Sequence, residues 1–197
     1  MGLFTGGEVW TGGFYELALE YEPGVAGGLV SGLHELWHLE GFDGCYLDGK
    51  REPADQPRHE FESSLLSAGH LLGIAAFAGG AQVACGSCTV QETDGSDWLV
   101  FYFPMGALSN AYPVGGFPFD SANHESWRIP LDNWLLSIAR RIFPRAPFVL
   151  SLVGSEASGN IHAADLAASG VPSARYEGLL VPVAGALEWH PRTEADG

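Results

Sequence analysis

The run Glu8-Val9-Trp10-Thr11-Gly12-Gly13-Phe14-Tyr15-Glu16-Leu17-Ala18-Leu19-Glu20-Tyr21-Glu22 decides the fold. Tyr15, Leu17, Leu19 and Tyr21 fall on every second position, with Glu16, Glu20 and Glu22 on the intervening ones. Alternation with period two, in residues that favour extended backbone, reads as a half-buried strand. One face is expected on a core and the other, acidic, in water. Pro23-Gly24 ends the run.

Beyond it the period changes. Leu29, Leu33, Leu36 and Trp37 recur at helical spacing over residues 29–39, and Gly41 stops them. Cys45–Leu47 is a short apolar strand, and Asp48–Arg58, with two prolines and several charges, a surface loop. His59–Leu72 fits helix and irregular structure equally. Ile74–Phe77, Ala81–Glu92 and Trp98–Phe103 read as strands, the last two joined through Thr93-Asp94-Gly95-Ser96-Asp97. Trp98–Phe103 is apolar throughout, which predicts a central strand covered on both faces.

The second half repeats the mixture. Asn110–His124 is a long aromatic loop rich in Gly and Pro, either a cover for the core or a binding surface, with cover preferred. Leu131–Phe143 carries one apolar stripe (Leu131, Trp134, Leu135, Ile138, Ala139, Ile142) with Arg140 and Arg141 complementing the helix dipole. Phe148–Val153 reads as a buried strand, Ala163–Ala168 as a short helix and Tyr176–Val183 as a strand paired with Ala186–Trp189. Hairpins mixed with a few helices give an α+β fold: a mainly antiparallel or mixed sheet with two to four helices packed on one face. Residues 1–197 are expected to form a single domain.

Composition narrows the function. With 46% apolar and 12% aromatic residues the chain can build a sizeable core, so disorder is excluded for most of it. Net charge is −15 and uneven: residues 1–100 hold 15 acids against 3 Lys/Arg, residues 101–197 hold 9 against 6. Such a field repels phosphate backbones, so no nucleic-acid partner is expected. No stretch approaches the ~20 apolar residues of a membrane span, and none resembles a signal peptide. Three cysteines, an odd number, suit a reducing compartment, and the expected location is cytoplasmic.

His34-Glu35-Leu36-Trp37-His38 is the one pattern with specific chemistry. On a helix, positions four apart share a face, so His34 and His38 could bind one zinc ion, with Glu35 activating a metal-bound water. The segment resembles the zincin metallopeptidase motif and, like metzincins, has a glycine, Gly41, three residues after the second His. Where metzincins place a third His this chain has Gly44; Glu60 or Glu62 could be a third ligand, as in gluzincins, though both follow a Pro-containing loop instead of a second helix. The plainer reading, which we prefer, is an amphipathic helix burying Leu33, Leu36 and Trp37 with the two His at its edge.

Cys85-Gly86-Ser87-Cys88 has redox or half-zinc spacing but strand-like flanks. Positions three apart on a strand point to opposite faces, which argues for two structural cysteines. Gly154-Ser155-Glu156-Ala157-Ser158-Gly159 is followed by Asn160 in place of the lysine of a phosphate loop. No Gly-x-Ser-x-Gly elbow occurs.

The leading expectation is a non-enzymatic protein-binding module in which Glu16, Glu20 and Glu22 meet a basic protein partner. Small acidic α+β chains of this kind resemble immunity or inhibitor proteins, although no motif carries that likeness. The alternative is a zinc-dependent hydrolase with His34 and His38 as ligands and Glu35 as base. A third possibility is a small molecule held under the Tyr112–Phe119 loop, with Tyr112 and Phe117 as contacts.

Overall fold

The computed structural model describes residues 2–23, 27–77, 80–91, 95–116, 119 and 122–194. Its frame is an eight-stranded sheet in which every adjacent pair is antiparallel. The strands are β1 (Phe14–Tyr21), β2 (Phe42–Tyr46), β3 (His70–Ala76), β4 (Gln82–Gln91), β5 (Asp97–Pro104), β6 (Leu150–Ser155), β7 (Gly178–Val183) and β8 (Ala186–His190). They lie in the order β2-β3-β4-β5-β1-β6-β7-β8. The first strand is therefore central, gripped by β5 on one side and β6 on the other.

Among the described residues four α-helices accompany the sheet: α1 (Gly28–Trp37), α2 (Met105–Leu108), α3 (Ala122–Ile142) and α4 (Ala163–Ser169). Two short 3-10 turns, Pro53–Asp55 and Ser63–Ala68, take the helix count slightly past the expected two to four. The α+β class is as expected, whereas the placement on one face is not. Leu33, Leu36 and Trp37 of α1 join Trp127, Leu131, Leu135, Ile138 and Ile142 of α3 in the main core, against Tyr15, Leu17, Leu19 and Tyr21. On the opposite face a smaller core gathers Ala18, Trp98, Val100, Leu150, Leu152 and Leu179 under Ile161, Ala163 and Leu166 of the α4 region.

Helix α3 starts nine residues before the expected Leu131. Pro130 lacks an N–H and reads as a boundary, but the helix continues through it. Trp127 and Leu131, four apart on either side of the proline, are both fully buried, and tertiary burial overrides the local penalty. No helix among the described residues is long and apolar enough to cross a membrane.

Candidate functional site

The expected acidic docking face is not in water. Glu16 and Glu20 are only 6% and 1% exposed, and of the three only Glu22 is open to solvent. They sit under the segment that leads into α4, which uses them as anchors. Glu16 Oε2 accepts the Ser158 backbone N–H at 3.0 Å. Glu20 Oε2 accepts the Ala163 N–H at 2.7 Å, while Oε1 takes the Ser96 hydroxyl and lies 3.4 Å from His162 Nδ1. Burial pushes the Glu16 carboxyl above its ordinary range, against the Ser158 hydrogen bonds that lower it. The alternation was read correctly, but the second face of the strand is also covered.

His34 and His38 do share one side of α1, with rings stacked at a centroid distance of 4.2 Å and 23° between planes. The His38 Nδ1–H donates to the His34 carbonyl at 2.7 Å, so its Nε2 keeps the lone pair in the neutral ring. Glu35 is turned toward Arg145, at 2.8 Å, and an open hollow of about 480 Å³ is lined by both His, Glu35, Leu39, Arg141 and Arg145. Neither Glu60 nor Glu62 joins them: among the described residues no group of three His, Cys, Asp or Glu could hold a metal ion. Trp37 is the motif's structural member. Its indole lies over Gly44 and Gly73 and donates to Ser87 Oγ at 3.0 Å.

Within the aromatic loop, Val114 and Phe119 are buried in the main core and Tyr112 is half-buried against Phe77, with ring centroids 5.6 Å apart. Phe117 lies outside the described residues. A hollow of about 520 Å³ borders the loop, lined by Gly115, Gly116 and Phe119 together with Glu8, Met105 and Asn110. Cys85 packs in the main core and Cys88 against the smaller one, on opposite faces of β4.

A cleft that coincides with a strongly perturbed ionisable group lies elsewhere, between the first half of α3 and the end of β8. Glu125, Ile129, Asp132 and Asn133 supply one wall, Trp189, Pro191 and Arg192 the other, around about 210 Å³. Helical spacing explains the α3 wall, since 125, 129, 132 and 133 fall on one side. Trp189 is set by β7: a methyl at Gly178 would overlap its indole, so the ring lies tight on the sheet.

Beneath the cleft runs a charged network. Arg128 is fully buried, its Nε donating to the Tyr15 hydroxyl at 3.4 Å and its Nη1 to the Phe119 carbonyl at 3.4 Å. Tyr15 in turn donates to Asp132 Oδ1 at 2.5 Å. Burial lifts the Asp132 carboxyl to about 6, although the Tyr15 hydrogen bond, Arg192 and Arg128 all pull it down. Arg192 donates to Glu125 Oε2 at 2.7 Å, while its Nε faces Asp132 Oδ2 across 4.0 Å. That Nε is buried and makes no hydrogen bond among the described residues. Two opposite charges thus face each other just beyond hydrogen-bonding reach.

Sequence reasoning missed this site because it began the helix at Leu131, which left Glu125 and Arg128 outside it. The available signal was Arg128 and Asp132, four apart and flanking the buried Leu131, a charge pair at the edge of an apolar stripe. Compared with known proteins, the chain matches no family model, no curated protein and no solved structure.

Proposed function

We propose that this chain is a small-molecule-binding protein whose ligand occupies the α3–β8 cleft. The observation that carries the reading is the meeting in one cleft of Asp132, whose carboxyl burial raises to about 6, with Arg192, Asn133 and the Trp189 indole. A concave site with an aromatic wall and a few convergent polar groups, one with a perturbed pKa, is the arrangement expected of a ligand site. Docking of a basic protein through Glu16, Glu20 and Glu22 is not part of this reading, because two of those three carboxylates are occupied under the α4 segment. The reading assigns binding and no bond-breaking step.

A fragment screen by NMR, watching the Trp189 indole N–H, tests it. Ile129 is 52% exposed at the cleft rim, so Ile129→Trp should plug the cleft without disturbing the core. Fragments that move the Trp189 signal in the native protein and not in the plugged variant support the reading. A diverse screen at millimolar concentration that leaves Trp189 unmoved rejects it.

A further inference from the structure

We propose that His34 and His38, at the C-terminal end of α1, form a two-histidine site for an exchangeable divalent transition-metal ion, copper(II) ahead of nickel(II). The site is separate from the α3–β8 cleft and does not depend on a ligand there.

Each imidazole has one nitrogen turned toward oxygen and one left over. His38 Nδ1–H donates to the His34 carbonyl at 2.7 Å, and His34 Nδ1 faces Glu35 Oε1 across 3.8 Å. With the proton on Nδ1, the Nε2 of each ring keeps its lone pair. A ring N–H directed at a carbonyl or carboxylate is the outer partner that metal-ligating histidines use, because it fixes the tautomer and makes the other nitrogen a better donor.

The spacing is within reach of chelation. The ring centroids are 4.2 Å apart, with 23° between planes. Two nitrogens bound at 2.0–2.1 Å to one ion stand about 3 Å from each other, so one ring has to swing about its Cβ–Cγ bond. His34 has that freedom: 55% of its side chain is exposed, and this torsion is broad for imidazoles. The hollow of about 480 Å³ that both rings line leaves room for water on the rest of the coordination sphere.

Donor type and number select the metal. Imidazole suits copper, nickel and zinc, whereas calcium and magnesium want oxygens. Among the described residues no third His, Cys, Asp or Glu completes the set, so the four protein ligands of a structural zinc centre are missing. Two neighbouring nitrogens with open positions suit the tetragonal geometry of copper(II) or nickel(II), and copper(II) binds such sites more tightly. The position favours a cation, since the last turn of α1 carries the negative end of the helix dipole. Arg145 is neutralised by Glu35 at 2.8 Å, which also leaves that carboxylate unfit to serve as a base for metal-bound water. Arg141 in the lining opposes a cation, but it is exposed and screened by salt.

The experiment titrates the full chain with copper(II) chloride and nickel(II) chloride by calorimetry, and records the electron paramagnetic resonance spectrum of the copper form. The expected result is one ion per chain, copper tighter than nickel, with two nitrogens coupled to the copper. Affinity should fall about tenfold or more in His34→Ala and in His38→Ala, where a chelate becomes a single contact. His70→Ala, an exposed histidine on β3, should bind as the native protein does. Circular dichroism of each variant confirms that the fold is kept. Copper binding equal in the native protein and both α1 variants, or sensitive to only one of the two histidines, overturns the proposal. So does an absence of binding at millimolar copper, or binding that weakens in Arg141→Gln, because a cation gains nothing from a guanidinium.

Discussion

The carboxylate of Glu20, in the middle of the sheet, holds the first residue of α4: its Oε2 accepts the Ala163 backbone N–H at 2.7 Å. The same group takes the Ser96 hydroxyl through Oε1, so one β1 side chain ties β5 and α4 together. A carboxylate at a helix N-terminus satisfies an amide that the helix cannot and opposes the positive end of its dipole.

Glu20→Ala would leave the Ala163 N–H and the Ser96 hydroxyl unpaired under the α4 segment. Two stranded polar groups cost about 2–4 kcal/mol together, which urea unfolding would register as a fall in midpoint. Glu20→Gln keeps an acceptor and should cost less. Glu22→Ala, just past the end of the same strand and exposed, should change stability by no more than about 0.5 kcal/mol. Equal effects at 20 and 22 would contradict the burial of this face.

The sequence carried the sheet further than it carried the site. Period two placed Tyr15, Leu17, Leu19 and Tyr21 on the core, and the unbroken apolar run Trp98–Phe103 gave a strand covered on both faces. Those two inferences together imply that a strand beside β5 is also covered. The pairing that joins them, Glu20 opposite Trp98 and Glu16 opposite Tyr102, is a long-range fact that local pattern does not encode. The cleft failed for a similar reason. The apolar stripe was legible only from Leu131 onward, whereas the helix runs from Ala122 through Pro130 with Trp127 buried, so Glu125, Arg128 and Asp132 share it.

The two cysteines of Cys85-Gly86-Ser87-Cys88 should never pair within one folded chain, because β4 runs unbroken through them and sends them to opposite faces. Burial also raises each thiol: Cys88 to about 11, Cys45 to about 12 and Cys85 well above the ordinary thiol range. A thiol near 11 is only about one part in ten thousand thiolate at pH 7, so alkylation is slow. Iodoacetamide labelling with mass spectrometry should find Cys88, the half-buried one, modified first and Cys45 and Cys85 protected until unfolding. Rapid labelling of Cys85 in the native protein would contradict this packing.

Trp37 belongs to the His34–His38 segment yet works as a peg for the helix. Its indole occupies the space above Gly44 and Gly73, where any Cβ would collide with it. Gly73→Ala should therefore lift α1 from the sheet edge and cost about 1–3 kcal/mol, the usual range for overpacking a filled core. A shift in the Trp37 indole signal should accompany the loss. Ser87→Ala, which removes the indole's hydrogen-bond partner, should cost about 1 kcal/mol without moving the helix.

The Asp132 carboxyl gives stability a pH dependence of defined sign. In the unfolded chain it titrates at its ordinary value of 3.8, and in the folded chain burial raises it to about 6. Between those values the native state holds a proton that the unfolded state has released. Stability therefore falls as pH rises from about 4 to 6 and levels off above, by at most about 3 kcal/mol from a shift of that size. Glu16, also raised, adds a smaller fall of the same sign. Asp132→Asn keeps an oxygen for the Tyr15 hydroxyl but carries no titrating proton, so most of the slope should vanish while the Glu16 part remains. Urea denaturation at pH 4.5, 5.5, 6.5 and 7.5 on both proteins measures the difference. If the two curves run parallel, the charge on Asp132 is not being desolvated by α3 and β8, and the tight environment drawn for the cleft is wrong.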